Sequence, residues 1–359
     1  MLTNAQTPTL RSAWRPVLLF LTAALLALPA SAQKVNITYL TSDIPNAATV
    51  ADNDLVNPWG MSISPGGPWW ISDNGTGLST LYNASGQNQG LIVTIPTANG
   101  SGTGTPTGTV FNGTTDFKIN GQVAQFLFST EDGTISGWYG GTSAFIAVNN
   151  GINNAVYKGL ALASANGSNF LYATNFHAGT VEVYDHVFAS HSFGPNAFVD
   201  TTIPAGFAPF GIQNIGNNRL VVTYAKQDAD KHDDVPGPGN GYVDVYDSQG
   251  NLLFRTAHVL YLNSPWGIAV APQNFSGFSG DLLIGNFGSG LITAFNASNG
   301  TWIGNMQNVA SLPVEINGLW GIFFGNGGSG GPTNTLFFTA GPFGENHGLF
   351  GMITPHPGF

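Results

Sequence analysis

A short phrase recurs along this chain at a nearly constant interval, and it restricts the fold more than any other feature. It reads Pro58-Trp59-Gly60-Met61, Lys158-Gly159-Leu160, Pro209-Phe210-Gly211-Ile212, Pro265-Trp266-Gly267-Ile268 and Leu319-Trp320-Gly321-Ile322. From Gly159 onward the glycines fall 52, 56 and 54 residues apart. Gly60 and Gly159 are 99 apart, two such periods, so a degenerate copy lies between them, with residues 125–129 and 134–139 as its strands. Residues 264–299 show one complete unit: a strand opened by Pro265-Trp266-Gly267, a Gly/Ser-rich turn, and strands at 281–287 and 291–296.

A period of about 50 residues holding several short strands is the signature of propeller blades, each stable only against its neighbours. Six copies predict an all-β, six-bladed β-propeller. Outside the first 32 residues no window keeps apolar residues at helical spacing for three turns, whereas strand alternation is common, as in Val181-Glu182-Val183-Tyr184. Residues 34–42 alternate in the same way but precede the first copy. They are predicted to pair outside residues 349–354 in the last blade, closing the ring and removing a sheet edge. Residues 97–109, rich in Gly and Thr, read as a flexible surface loop.

Arg11 and Arg15, the apolar run 17–28 and the small residues Ala30-Ser31-Ala32 read as a secretory leader cleaved after Ala32. Residues 33–359 then form a single propeller domain in a secreted or periplasmic protein. No second run approaches membrane length, so the product is expected to have no membrane span and to be a monomeric ring. Without the leader, 7 Lys+Arg face 19 Asp+Glu, a formal charge of −12 that repels phosphate backbones and argues against nucleic acid. There is no cysteine, which removes disulfides, thiol nucleophiles and thiolate metal sites.

Antiparallel strands ordered outward from the axis as A, B, C and D put all B–C turns and D–A connections on one face. The B–C turns fall at 73–77, 131–133, 175–179, 226–241, 286–290 and 341–348. They gather many of the few ionisable groups: Asp73, Glu131, Asp132, His177, Lys226, Asp228, Asp230, Lys231, His232, Asp233, Asp234, Glu345 and His347. In a chain that is 8% charged, this concentration marks the candidate ligand face. Alternating carboxylates in the 226–234 loop suit a divalent cation such as calcium, with Asp228, Asp230, His232 and Asp234 as ligands. Imidazoles from other blades would favour zinc. The loop departs from an EF-hand, because Asp233 and Gly239 stand where that motif needs glycine and glutamate. A solvated acidic loop balanced by Lys226 and Lys231 explains the same residues without a metal. Trp59, Trp266 and Trp320, with Phe210, occupy equivalent places where strand A begins. They serve either as packing between blades or as an aromatic rim that stacks a flat ligand. Asn57, Asn263 and Asn317 before them read as turn formers.

The stretches YATNFHAGTVEVYD (172–185), YAKQDADKHDDVPGPGNGYVDVYD (224–247), NGLWGIFFGNGG (317–328) and LFFTAGPFGENHGLFG (336–351) resemble a family of secreted bacterial proteins with a six-bladed, NHL-like propeller. The similarity spans about residues 36–354. It implies fold and export and brings no activity or catalytic residues. P-loop, H-E-x-x-H and G-x-S-x-G motifs are absent. The candidate functions are a module binding a small molecule, glycan or protein, a metal-assisted hydrolase, lactonase or lyase, and an envelope interaction protein without a pocket.

Overall fold

The computed structural model describes Met1, Leu2 and residues 34–356. The apolar run and cleavage site of the expected leader lie outside the described residues. The chain separates into a unit of Met1–Ala30 and a unit of Ser31–Phe359, and the second holds every strand found among the described residues.

Six blades follow one another, each built on four antiparallel strands, and the sixth carries two further two-residue strands, Val50–Ala51 and Gln307–Asn308, in parallel. Their A strands are Pro58–Ile63, Pro106–Phe111, Tyr157–Ala165, Phe207–Asn214, Pro265–Val270 and Leu319–Phe324. Helical structure among the described residues is limited to two short 3₁₀ turns, Gly151–Asn153 and Ser276–Phe278. The sixth blade takes its fourth antiparallel strand, Lys34–Ser42, from the N-terminal side of the first blade. That strand runs antiparallel to Leu349–Pro355, with Val35 opposite Pro355, Ile37 opposite Ile353 and Ser42 opposite Leu349. The expected ring closure is therefore present.

The core lies between blades, because each sheet buries both faces. Trp69 and Ile71 of the first blade pack with Phe337 and Phe350 of the sixth and Leu40 of the closing strand, all at most 4% exposed. Burying a side chain of this size contributes about 2–3 kcal/mol.

At the axis the recurrent glycines bring the A strands into backbone contact. A methyl group on Gly60 would lie 2.3 Å from Thr107 O, one on Gly211 2.2 Å from Trp266 O, and one on Gly267 2.4 Å from Trp320 O. No other residue fits so close an approach. Buried hydroxyls on the B strands stitch the contact. Gly321 N donates to Thr339 Oγ1, which donates in turn to Trp59 O across the blade boundary.

One expectation needs correction. Residues 106–111 belong to no loop: Pro106–Phe111 is the A strand of the second blade, paired with Phe126–Thr130. Pro106-Thr107-Gly108 is the missing copy of the recurrent phrase, dividing the 99-residue interval into 48 and 51. A methyl on Gly108 would lie 2.4 Å from Leu160 N, the same packing as in the other blades.

Candidate functional site

The residue before each ring glycine projects at the axis. In blade order these six are Trp59, Thr107, Lys158, Phe210, Trp266 and Trp320. The four aromatics close the channel. Trp59 stacks on Trp320 with ring centres 3.5 Å apart, and Trp266 meets both edge to face at 6.0 and 5.8 Å. Phe287 stacks on the other side of Trp320 at 4.0 Å, and Phe176 packs on Phe210. Trp59, Trp266 and Trp320 are at most 9% exposed, so in this packing they form a plug and offer no open face to an incoming ligand.

Lys158 holds the third of these places, and its side chain is 1% exposed. Its ammonium lies 5.0 Å from the ring centre of Trp59 and 5.9 Å from that of Phe176. It donates to Glu131 Oε1 and, at 3.3 Å, to Asp233 Oδ1. Stripping water from an ammonium costs several kcal/mol unless carboxylates and ring faces replace it. Burial alone would lower the Lys158 pKa, but the charges of Glu131 and Asp233 overcome that and hold it above the ordinary lysine value. Conversely, burial pulls Asp233 upward, and the charge of Lys158 with the bond from His232 holds it below the ordinary range.

From Lys158 a chain of hydrogen bonds crosses the top of the plug. Glu131 Oε2 accepts from Asn74 Nδ2 at 2.8 Å, and Asn74 Oδ1 accepts from Asn57 Nδ2 at 3.3 Å. Asn57 Nδ2 also donates to Glu345 Oε2 at 2.8 Å, while Asn57 Oδ1 accepts from Trp320 Nε1 at 3.1 Å. On the other side Asp233 Oδ1 lies 2.9 Å from His232 Nδ1. Five blades thus contribute to one arc. Burial raises the carboxyl of Glu345, with Glu131 adding to the rise, and it raises that of Asp234.

Of the residues singled out in the sequence, the arc gathers His232, Asp233 and Glu345, with Glu131 from the same set of turns. His347 lies apart, bonded through Nδ1 to Asp43 Oδ2 at 2.8 Å. Asp228 closes its own loop by accepting from His232 N at 2.9 Å, and Lys226, Asp230 and Lys231 are exposed. His177 is half-buried in its turn and joins no hydrogen bond of the arc. Asp73 is fully buried, its Oδ2 accepting from Thr80 N and Oγ1, and burial lifts its carboxyl well above the ordinary range. Among the described residues, the set of three His and acidic groups whose donor atoms all come within 4.8 Å of one another is Glu131, His232 and Asp233. Asp228, Asp230 and Asp234 do not join that group. Sequence reasoning missed Lys158, Asn57 and Asn74. A lysine in a place otherwise held by Trp or Phe was the available signal for the first; the asparagines gave none.

No family model matches the chain. It is 32% identical over 334 residues to Uncharacterized protein R648 of Acanthamoeba polyphaga mimivirus, covering 88% of this chain and 79% of that protein. It is also 32% identical over 303 residues to Uncharacterized protein L690 of the same virus, covering 80% and 78%. These relatives are viral, so the bacterial source implied by the resemblance has no counterpart in them. Among solved structures, virginiamycin B lyase from Staphylococcus aureus superposes with a TM-score of 0.51 at 15% identity, covering 90% of this chain and 99% of that one. A luciferin-regenerating enzyme gives 0.52 at 13% identity, covering 84% and 92%. At such identities the likeness shows the fold alone. The six-bladed chain described here belongs to the family of the mimivirus proteins R648 and L690.

Proposed function

We propose that this propeller is a ligand-binding module whose B–C face receives a small molecule through a cationic group. The supporting observation is a charge imbalance over the plug. Four carboxyl groups, Glu131, Asp233, Asp234 and Glu345, share the single buried ammonium of Lys158. The raised carboxyls of Glu345 and Asp234 mark a place that favours added positive charge. On this reading the leader in the sequence makes the module an exported one that acts as a single ring.

Titration calorimetry with ethanolamine, choline and calcium tests this reading. An amine should bind, more weakly at high salt, and Glu345→Gln should weaken it about five- to tenfold. Absence of heat with either amine overturns it.

A second reading, an acid–base hydrolase, lactonase or lyase, draws on one observation. The His232 imidazole is oriented by Asp233, which Lys158 holds in turn. That is the base-and-orienter geometry of proton transfer. A lyase and a luciferin-regenerating enzyme share the fold, so such chemistry is compatible with the scaffold. A metal-assisted version meets an obstacle, because a divalent ion on Glu131, His232 and Asp233 would have to displace the Lys158 ammonium. Zinc- or manganese-dependent stabilisation that is lost in His232→Ala would favour it nevertheless.

A further inference from the structure

The turn at residues 341–348 carries Glu345 toward the arc and has a second side. There, a cavity of about 260 Å³ opens between this turn, the segment after the closing strand and the connection into the sixth blade. Ile44, Ala47, Ile316, Pro342, Phe343 and Leu349 make its walls. Phe343 is 69% exposed and has φ +57°, in the left-handed region that L side chains rarely adopt, and Glu345 two residues on has φ +67°. Phe343 is held there by its own N–H, which donates to Asn317 Oδ1 at 2.9 Å. Strained backbone of this kind concentrates at ligand clamps.

The polar groups at the cavity narrow the occupant. Ser42 Oγ is committed, donating to Gly348 O and accepting from Ile44 N. Because Asn317 Oδ1 is fixed by Phe343, the orientation of its amide is set; its NH2, at the exposed rim, and the O–H of Tyr39, which also lines the cavity, have no hydrogen-bond partner among the described residues. Free donors at the rim of an otherwise apolar wall match a hydrogen-bond acceptor on an apolar ligand. Asp43, between the lining residues Ser42 and Ile44, disfavours a carboxylate there. A volume of this size holds one aromatic ring with a short substituent.

We infer that this cavity is a second ligand site, independent of the axial arc, for an uncharged monocyclic arene bearing a carbonyl acceptor that takes its hydrogen bond from Asn317. Phe343 forms its outer wall.

Acetophenone is a suitable probe, with ethylbenzene lacking the acceptor and benzoate carrying the wrong charge, followed by ligand-observed NMR on the purified chain. Acetophenone should bind with a Kd of about a millimolar or tighter, and benzoate at least about tenfold more weakly. Asn317→Asp keeps the acceptor for Phe343 N and removes the NH2. It should weaken acetophenone about tenfold and leave ethylbenzene within about twofold. Ala47→Trp, a change at an exposed position, fills the cavity and should abolish both signals. The proposal fails if the parent chain does not bind acetophenone, if Ala47→Trp binds it unchanged, or if Asn317→Asp weakens both arenes alike. None of these outcomes depends on amine binding at the arc.

Discussion

Replacing Lys158 by methionine keeps the length and apolar stem of the side chain and deletes only its charge. The structure allows the cost to be apportioned. Asp233 is 67% exposed, so losing its half of the network costs little after solvent screening. Glu131 is 11% exposed and keeps a single neutral donor, Asn74, so it is left as a nearly buried, uncompensated carboxylate. Breaking a buried pair on one side costs about 3–5 kcal/mol, and the residual donor and partial exposure place this case near the low end, about 3 kcal/mol. With an unfolding entropy of roughly 2.1 cal/mol/K per residue, a ring of ~320 residues loses about 4–5 °C in Tm. The deficit should depend on pH. Asp233 is held below its ordinary range by Lys158, so its contribution is present above the unfolded carboxylate value and lost as pH falls through the folded one. Parent and variant melts, followed by calorimetry or circular dichroism, should therefore differ most at pH 7–8 and converge toward pH 3–4. Lys158→Met combined with Glu131→Gln should recover most of the loss, because no buried charge is then left alone. If the single variant melts like the parent, or the double variant melts as low as the single, the pairing does not hold the plug as argued.

Three further outcomes are expected. Glu345→Gln should melt at or above the parent temperature, by a margin that widens from pH 4 to pH 8. The raised Glu345 carboxyl favours the fold when protonated and loses that advantage as pH rises through its folded value; a margin that narrows over this range refutes the assignment. Deleting residues 34–42 should open the sixth blade, cost several kcal/mol and cause aggregation visible by light scattering; unchanged melting would show that the ring holds without its outer strand. Protein recovered from an exporting host should begin at Gln33 on N-terminal sequencing, and a product that retains residues 17–28 would refute the leader.

The fold was legible because its constraint is periodic. Gly60, Gly159, Gly211, Gly267 and Gly321 each sit where a side chain would strike the next blade, and five such glycines are enough to read a ring. The second blade's A strand escaped notice because Thr107 replaces the aromatic and Pro106-Thr107-Gly108 sits inside a Gly/Thr-rich run of the same composition. The polar face was legible from strand direction alone, which sends every B–C turn to the same side. The arc was not. Lys158 acquires its role only from Glu131, Asp233 and two ring faces supplied by four different blades, and that convergence leaves no local mark. Asn57 and Asn74 look like ordinary turn residues until the ring brings Glu131 and Glu345 within their reach.

The glycine contacts at the axis have a consequence for how such a molecule changes over generations. Each glycine packs on the backbone of the neighbouring A strand, at Thr107, Phe210, Trp266, Trp320 and Trp59, and never on the side chains those residues carry. The hoop is therefore indifferent to what its six central positions bear. Tryptophan, phenylalanine, threonine and lysine already share them within one ring. One codon change at a single position can exchange a greasy stopper for a charge, a donor or a void while the hoop stays shut. The chemistry at the hub is then free to change while the architecture stays as it is.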